Sequence, residues 1–288
     1  MKILVLGATG MLGNAMMRVL GEAADLDVFG TVRSEDAGRF FSADTASRLV
    51  TGIDVTDDDA LAGVLRKIKP DVVINCIGLI KQLAQADDPV EAITINALLP
   101  HRLKKLCDPE GIRLVHFSTD CVFSGATGHY TEAAPSDAAD MYGKSKYLGE
   151  VGGANAITLR TSIIGHELQG AYSLIGWFLK QQGQCKGYRR AIFSGLPTTT
   201  MAAIVRDQVI PNRALQGLYH VAAQPIAKFD LLRLVADVYG KQIEIIPDDT
   251  LVIDRSLNAD RFAEAAQYRA PEWPELIASM HAYYGAGK

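Results

Sequence analysis

The stretch Val5-Leu6-Gly7-Ala8-Thr9-Gly10-Met11-Leu12-Gly13 constrains the fold more than any other part of the chain. It spaces three glycines as G-x-x-G-x-x-G between a short apolar run, Lys2 to Leu6, and a helical pattern, Gly13 to Gly21. A turn without Cβ atoms lets the backbone approach a pyrophosphate, and the helix start behind it offers free N–H groups to an anion. A plain strand-to-helix turn would use glycine too. Strand, turn and helix occur here in the order that dinucleotide binding requires, so the pattern predicts a parallel sheet holding a dinucleotide at its first strand end.

The rest of the first half repeats the theme. Apolar runs at Asp27 to Val32, from Asp71, from Ile112 and from Ala156 alternate with helical patterns such as Thr56 to Lys69 and Asn96 to Cys107. Runs apolar on both faces suit a sheet covered by helices on both sides. Thr56 is the expected N-cap of its helix, ahead of three acids. The expected fold class is α/β, a Rossmann-type doubly wound parallel sheet with a smaller α/β C-terminal substrate lobe. Residues 1–165 would form the NAD(P)-binding domain, with 200–222 returning to it, and 166–199 and 223–288 would form the lobe. The segment His166 to Gly195 is less regular and is expected to cover the site; its His166, Trp177 and Tyr188 read as contacts or as packing.

Composition excludes several classes. The 288 residues, 48% hydrophobic and 22% charged with net charge -4, fit a soluble globular chain. Basic residues cluster only as the pairs Lys104-Lys105 and Arg189-Arg190, which leaves no nucleic-acid footprint. No apolar run reaches the ~18 residues of a membrane span, and Gly7 and Gly10 break the N-terminal run as a signal sequence. Cys76, Cys107, Cys121 and Cys185 show neither C-x-x-C nor a histidine at ligand spacing. Reduced thiols, no metal and a cytoplasmic location are the expectation.

The cofactor is read from the end of the second strand, about 20 residues past the glycines, where an acid would bind the ribose of NAD. Arg33 and Ser34 stand there and fit a 2′-phosphate, which favours NADPH; Glu35 and Asp36 close by keep NADH open. Asp54 and Val55 could hold an adenine or simply lead into a helix. Ser118, Thr119 and Asp120 follow an apolar run, where hydroxyls at a strand's carboxyl end face the ligand crevice. Tyr142 and Lys146, four apart, share a helix face. Beside a nicotinamide, Thr119 could hold a carbonyl oxygen and Tyr142 protonate it, with Lys146 lowering the phenol's pKa. Taken alone, the Tyr-Lys spacing reads equally as an ordinary helix surface. His116, inside an apolar strand, reads as a satisfied core histidine, and Asn96 as a bridge near the site or a surface amide.

Together, Gly7 to Gly13, Ser118 to Phe123 and Tyr142-Gly143-Lys144-Ser145-Lys146 resemble an extended short-chain dehydrogenase/reductase, more narrowly the dTDP-4-dehydrorhamnose reductase group. "LRTSIIG" from Leu159, "GLPTTTMA" from Gly195, "GLYHVA" from Gly217 and "DRSLNADRF" from Asp254 extend the resemblance over nearly the whole chain. The resemblance implies reduction of a nucleoside-diphosphate 4-keto-6-deoxyhexose, with Thr119, Tyr142 and Lys146 catalytic. It places Gly7, Thr9, Gly10, Met11, Leu12 and Gly13, then Cys76, Ile77 and Gly78, against the cofactor, with Lys146 on its ribose. Asp120, Cys121 and Ile163 become sugar-side candidates; by position alone, Lys81 in the loop after Gly78 could reach the substrate or be a solvated charge, and Arg189 in the covering segment could clamp a diphosphate. A homodimer is common among such proteins.

Three departures bear on the sugar: Cys121 where the rhamnose reductases usually have Tyr, Ile163 where they tend to have Trp, and Ser256 in place of a Pro. A 4,6-dehydratase would want a carboxylate where Cys121 stands. A 4-epimerase, or a cofactor-binding regulatory subunit, remains as the alternative.

Overall fold

The computed structural model describes residues 1–80 and 88–285, so Lys81 lies outside the described residues. The chain runs through β1 (Lys2–Leu6), α1 (Met11–Gly21), β2 (Asp27–Thr31), α2 (Ala43–Ser47), β3 (Leu49–Val50), α3 (Asp58–Ile68) and β4 (Val72–Asn75). It continues through α4 (Pro89–Ala92), α5 (Leu99–Cys107), β5 (Arg113–Thr119), α6 (Met141–Leu148) and β6 (Ala156–Thr161). A π-helical stretch, Ile93–Leu98, fuses α4 to α5, so the helix expected from Asn96 begins at Pro89, where Asp88 caps it.

The N-cap of α3 is Asp57, whose carboxylate accepts from Asp59 and Ala60 N–H, and not Thr56. Thr56 is already spent, donating its N–H and hydroxyl to Asp54. A carboxylate at the cap also meets the positive end of the helix dipole, which favours it over a hydroxyl.

The second half adds β7 (Ile163–Ile164), α7 (Leu174–Lys180), β8 (Gln184–Tyr188), β9 (Ala191–Phe193), β10 (Leu196–Pro197), α8 (Thr198–Ile204) and β11 (Gly217–His220). It closes with β12 (Ile226–Ala227), α9 (Lys228–Tyr239), β13 (Glu244–Asp248), β14 (Ile253–Asp254), α10 (Asp260–Ala266) and α11 (Trp273–Gly285). The segment expected to be irregular thus holds a helix and two strands. Its apolar positions are too sparse to show a period, and both strands gain their partners, β13 and β14, from far along the chain.

Seven strands form one parallel sheet in the order β3-β2-β1-β4-β5-β6-β11. Alternation along β1 decides the two cores: Ile3 and Val5 join Met16 and Leu20 of α1, while Leu4 and Leu6 join Leu61, Leu65, Leu99 and Leu103 on the other face. Each such side chain contributes about 1.5–3 kcal/mol by leaving water. The strand order reverses between β1 and β4, and a crevice therefore opens at the carboxyl ends of the central strands. Among the described residues no helix is long and apolar enough to cross a membrane, and no cluster could hold a metal ion. None of the four cysteines is in a disulfide.

Candidate active site

A cavity of about 910 Å³ lies over that crevice. Its floor is made by residues that follow the strands: Thr9 to Leu12 after β1, Cys76 to Ile80 after β4, Thr119 to Cys121 from β5, and Ser162 to Ile164 after β6. Gly7 sits at φ 81° and accepts the N–H of Gly10 at 3.0 Å. A Cβ on Gly13 would overlap the Gly7 carbonyl, so only glycine lets α1 start this close to the turn. No side chain caps α1 and no acid stands in its first turn, which leaves its N–H groups open to a phosphate. The cradle therefore fits a dinucleotide.

At one end of the cavity lie Arg33, Ser34, Asp36, Arg39 and Phe40. Asp36 is engaged by the Ser34 hydroxyl and by Arg39. Asp54 and Val55 do not line the cavity. Asp54 accepts both bonds from Thr56, which hold its carboxyl below the usual range, and Val55 packs against the core beneath α3 and α5. The loop after β4 is fixed from two sides. Asn75 Oδ1 accepts the Ile77 N–H at 3.1 Å, and Asn96 Oδ1 accepts that of Leu79 at 2.9 Å while its amide reaches Ser145 of α6. Asn96 is thus a bridge beside the site. Burial pushes the Cys76 thiol far up, so it is an inert wall.

In the middle, Thr119 ends β5, donating to Asp120 Oδ1 at 3.1 Å and accepting the Cys121 N–H at 3.1 Å. Asp140 caps α6 through the Gly143 N–H at 2.7 Å and starts the helix that carries Tyr142 and Lys146. The Tyr142 phenol and the Thr119 side chain face the same part of the cavity. Lys146 Nζ donates to the Phe117 carbonyl at 2.7 Å, and burial lowers its pKa to about 8.

The expected depression of the Tyr142 pKa is not found. Desolvation, followed by the Cys121 and Asp120 charges, pushes the phenol up, against the lowering effect of Thr119. Lys146, held on the Phe117 carbonyl, does not offset this. The phenol therefore carries its proton throughout the neutral range.

The sugar-side expectations divide. Asp120, Cys121 and Ile163 line the cavity, joined by Glu167, Tyr172, Lys228 and Arg255. Burial raises Asp120, with Arg255 and Lys228 pulling the other way. Arg189 lies elsewhere: its exposed guanidinium is paired with Asp249 and does not face the cavity. His166 packs too, its ring bonded to the Tyr239 hydroxyl and set against Tyr284, and Trp177 and Tyr188 are absent from the cavity wall. His116 is only half satisfied, with Nδ1 on the Asn75 amide and Nε2 without a partner among the described residues.

Lys228 and Arg255 escaped the sequence reading because they stand in separate strand-helix and strand-loop junctions with no shared spacing. The signal present was the stretch from Asp254, which contains Arg255.

With this geometry, residues 1–267 match the family model described as the RmlD substrate binding domain. The chain belongs to that family. It is therefore an extended short-chain dehydrogenase/reductase of the dTDP-4-dehydrorhamnose reductase group, as its three motifs anticipate. Among curated relatives, a Haloferax volcanii protein named "Probable low-salt glycan biosynthesis reductase Agl14" is 28% identical, over 92% of this chain and 87% of its own length. The Danio rerio methionine adenosyltransferase 2 subunit beta is 25% identical, over 83% of this chain and 74% of the relative. A dTDP-4-dehydrorhamnose reductase from Bacillus anthracis, solved in complex with NADP, superposes with a TM-score of 0.79 at 19% identity, covering 98% of both chains. This likeness places the family member's fold beside solved reductases.

Proposed function

We propose that this chain is an NAD(P)H-dependent reductase of the keto group of a nucleoside-diphosphate 4-keto-6-deoxyhexose, acting in deoxysugar biosynthesis. The observation that carries the reading is the meeting of Thr119, a proton-loaded Tyr142 and a buried Lys146 in one cavity with an uncapped glycine turn. The nicotinamide, when bound, supplies the hydride. Thr119 orients the carbonyl oxygen, and Tyr142 hands it a proton as carbon is reduced. Lys146, charged below about pH 8 and anchored on the Phe117 carbonyl, holds the nicotinamide ribose beside Tyr142. Gly7 to Gly13 seats the pyrophosphate, and Cys76 to Gly78 walls the nicotinamide side.

NADPH is the favoured cofactor, because Arg33 is free of an ion pair among the described residues while Asp36 is occupied by Ser34 and Arg39. On the opposite wall, Lys228 and Arg255 replace Arg189 as the diphosphate clamp; Arg255 is held by its Nε on the Phe123 carbonyl at 2.8 Å, leaving the rest of its fork to an anion. Exposed Val90, Ile93, Leu98, Tyr147 and Leu148 on the α4–α5 and α6 surface support a homodimer, which sedimentation would test. Thiols outside any disulfide support a cytoplasmic setting.

The test is oxidation of NADPH with a panel of nucleoside-diphosphate 4-keto-6-deoxy sugars, read by loss of reduced-nicotinamide absorbance. Turnover that disappears in Tyr142→Phe supports the reductase. Sugar conversion without net cofactor oxidation would mean an epimerase. Tight NADPH binding with no conversion of any sugar would replace the reading with a cofactor-binding subunit; one relative, from Danio rerio, is named as a subunit of another enzyme.

A further inference from the structure

Beyond the catalytic trio, the site is backed by a buried ionic group that the mechanism above leaves unused. Glu150 continues the spacing of Tyr142 and Lys146, but α6 ends at Leu148 and Glu150 turns back beneath the site. Its carboxylate accepts the Ser118 hydroxyl at 2.7 Å and both Nε and Nη2 of Arg160, at 2.6 and 2.7 Å. Arg160 is 2% exposed and Glu150 11%. We propose that Glu150 is a positioning residue whose charge keeps Lys146 an ammonium and whose bonds fix the strand end that carries Thr119. The inference rests on Lys146 having the role given above.

The geometry supports both parts. Ser118, tied to Glu150, stands between Phe117, whose carbonyl takes the Lys146 ammonium, and Thr119. One carboxylate thereby braces the acceptor of the lysine and the hydroxyl that orients the carbonyl. Arg160 is braced in turn, its Nη1 on His220 Nε2 at 3.2 Å and its guanidinium over the Phe123 ring.

Several titratable groups surround Lys146. From β5 comes His116, held neutral by burial, and beyond it Asp120 and Cys121, the first with its carboxyl raised by burial. On α6 itself Tyr142 is a neutral phenol and Lys144 is exposed; Glu91 of α4 is exposed, and Arg160 of β6 is already paired. Glu150 is the charge that raises Lys146 against its desolvation. An opposite charge close by in a dry site shifts a titration by about one unit or more.

The test compares three full-length variants. Glu150→Gln keeps the shape and one acceptor oxygen while removing the charge; Arg160→Met removes the opposing cation and leaves the anion; Ser118→Ala cuts the tether alone. The titration of Lys146 is followed by NMR of the carbon-labelled lysine, alongside the alkaline limb of kcat/KM. Glu150→Gln is expected to move both down by about one pH unit, Arg160→Met to move them up, and Ser118→Ala to lower kcat with the titration unmoved.

Opposite signs are what a purely structural role cannot produce. Shifts of one sign in both charge variants, or none in Glu150→Gln, overturn the proposal. Should Arg160→Met fail to fold, Glu150→Gln against Ser118→Ala decides alone. Because the lysine titration needs no substrate, it tests Glu150 even if the wild type reduces no keto sugar, an outcome that would sink the reductase reading instead.

Discussion

The two ends of the cavity are built in opposite ways. The cofactor end is assembled from consecutive residues at the ends of neighbouring strands, so that Thr9 to Leu12 and Cys76 to Gly78 reach it by following β1 and β4. The substrate wall is assembled from pieces that the chain visits far apart: Ile163, Tyr172, Phe193, Lys228 and Arg255. One end is dictated by local geometry and the other by tertiary pairing. Chemistry sits on the seam, where β5 and α6 bring Thr119 and Tyr142 together.

If that division holds, substitutions should affect one end at a time. The largest effect belongs to the seam. Tyr142→Phe should lower kcat by ~10²- to 10⁴-fold, as expected for a lost general acid, with NADPH affinity unchanged in a fluorescence titration. On the substrate wall, Lys228→Ala or Arg255→Ala should raise the KM for the nucleotide sugar by ~10- to 100-fold, the equivalent of one charged hydrogen bond, and leave NADPH binding alone. Arg189→Ala is the matched control and should change neither. On the cofactor end, Arg33→Ala should weaken NADPH by about tenfold and NADH hardly at all in parallel titrations; equal losses would remove Arg33 as the reader of the 2′-phosphate.

A last effect, on stability and not on either end of the cavity, comes with pH. Burial, with Arg160 beside it, takes the His220 pKa from 6.5 down to about 3. A depressed histidine is neutral when folded and takes up a proton when unfolded, so stability should fall as pH drops from 6.5 towards 3, by at most about 1.4 kcal/mol per unit. Chemical denaturation across that range should show a shallower fall for His220→Gln than for the wild type, and equal slopes would mean that His220 is not neutral in the fold.

The same contrast explains what the sequence made legible. The glycine turn could be read because all its parts are adjacent, and Thr119 because it ends an apolar run. Tyr142 and Lys146 gained meaning only from those neighbours. Arg189 and Lys228 are both cations in the second half, and nothing local tells them apart; the structure does so by giving Arg189 a carboxylate partner at Asp249. Asp54 was misplaced for a similar reason, since Thr56 claims its oxygens. The Glu150–Arg160 pair was invisible because its members stand ten residues apart with no periodic spacing and meet only when the chain turns from α6 into β6.

One consequence concerns synthesis. β11 is the outermost strand of the main sheet, yet it comes from Gly217–His220, long after β6 has been made. Until it arrives on the ribosome, β6 presents an unpaired edge, and unpaired edges recruit other strands. Arg160 would wait there with no His220 to meet it. The nascent chain is thus exposed to misassociation from the completion of β6 until β11 closes the sheet, the slow, long-range step that parallel topologies impose.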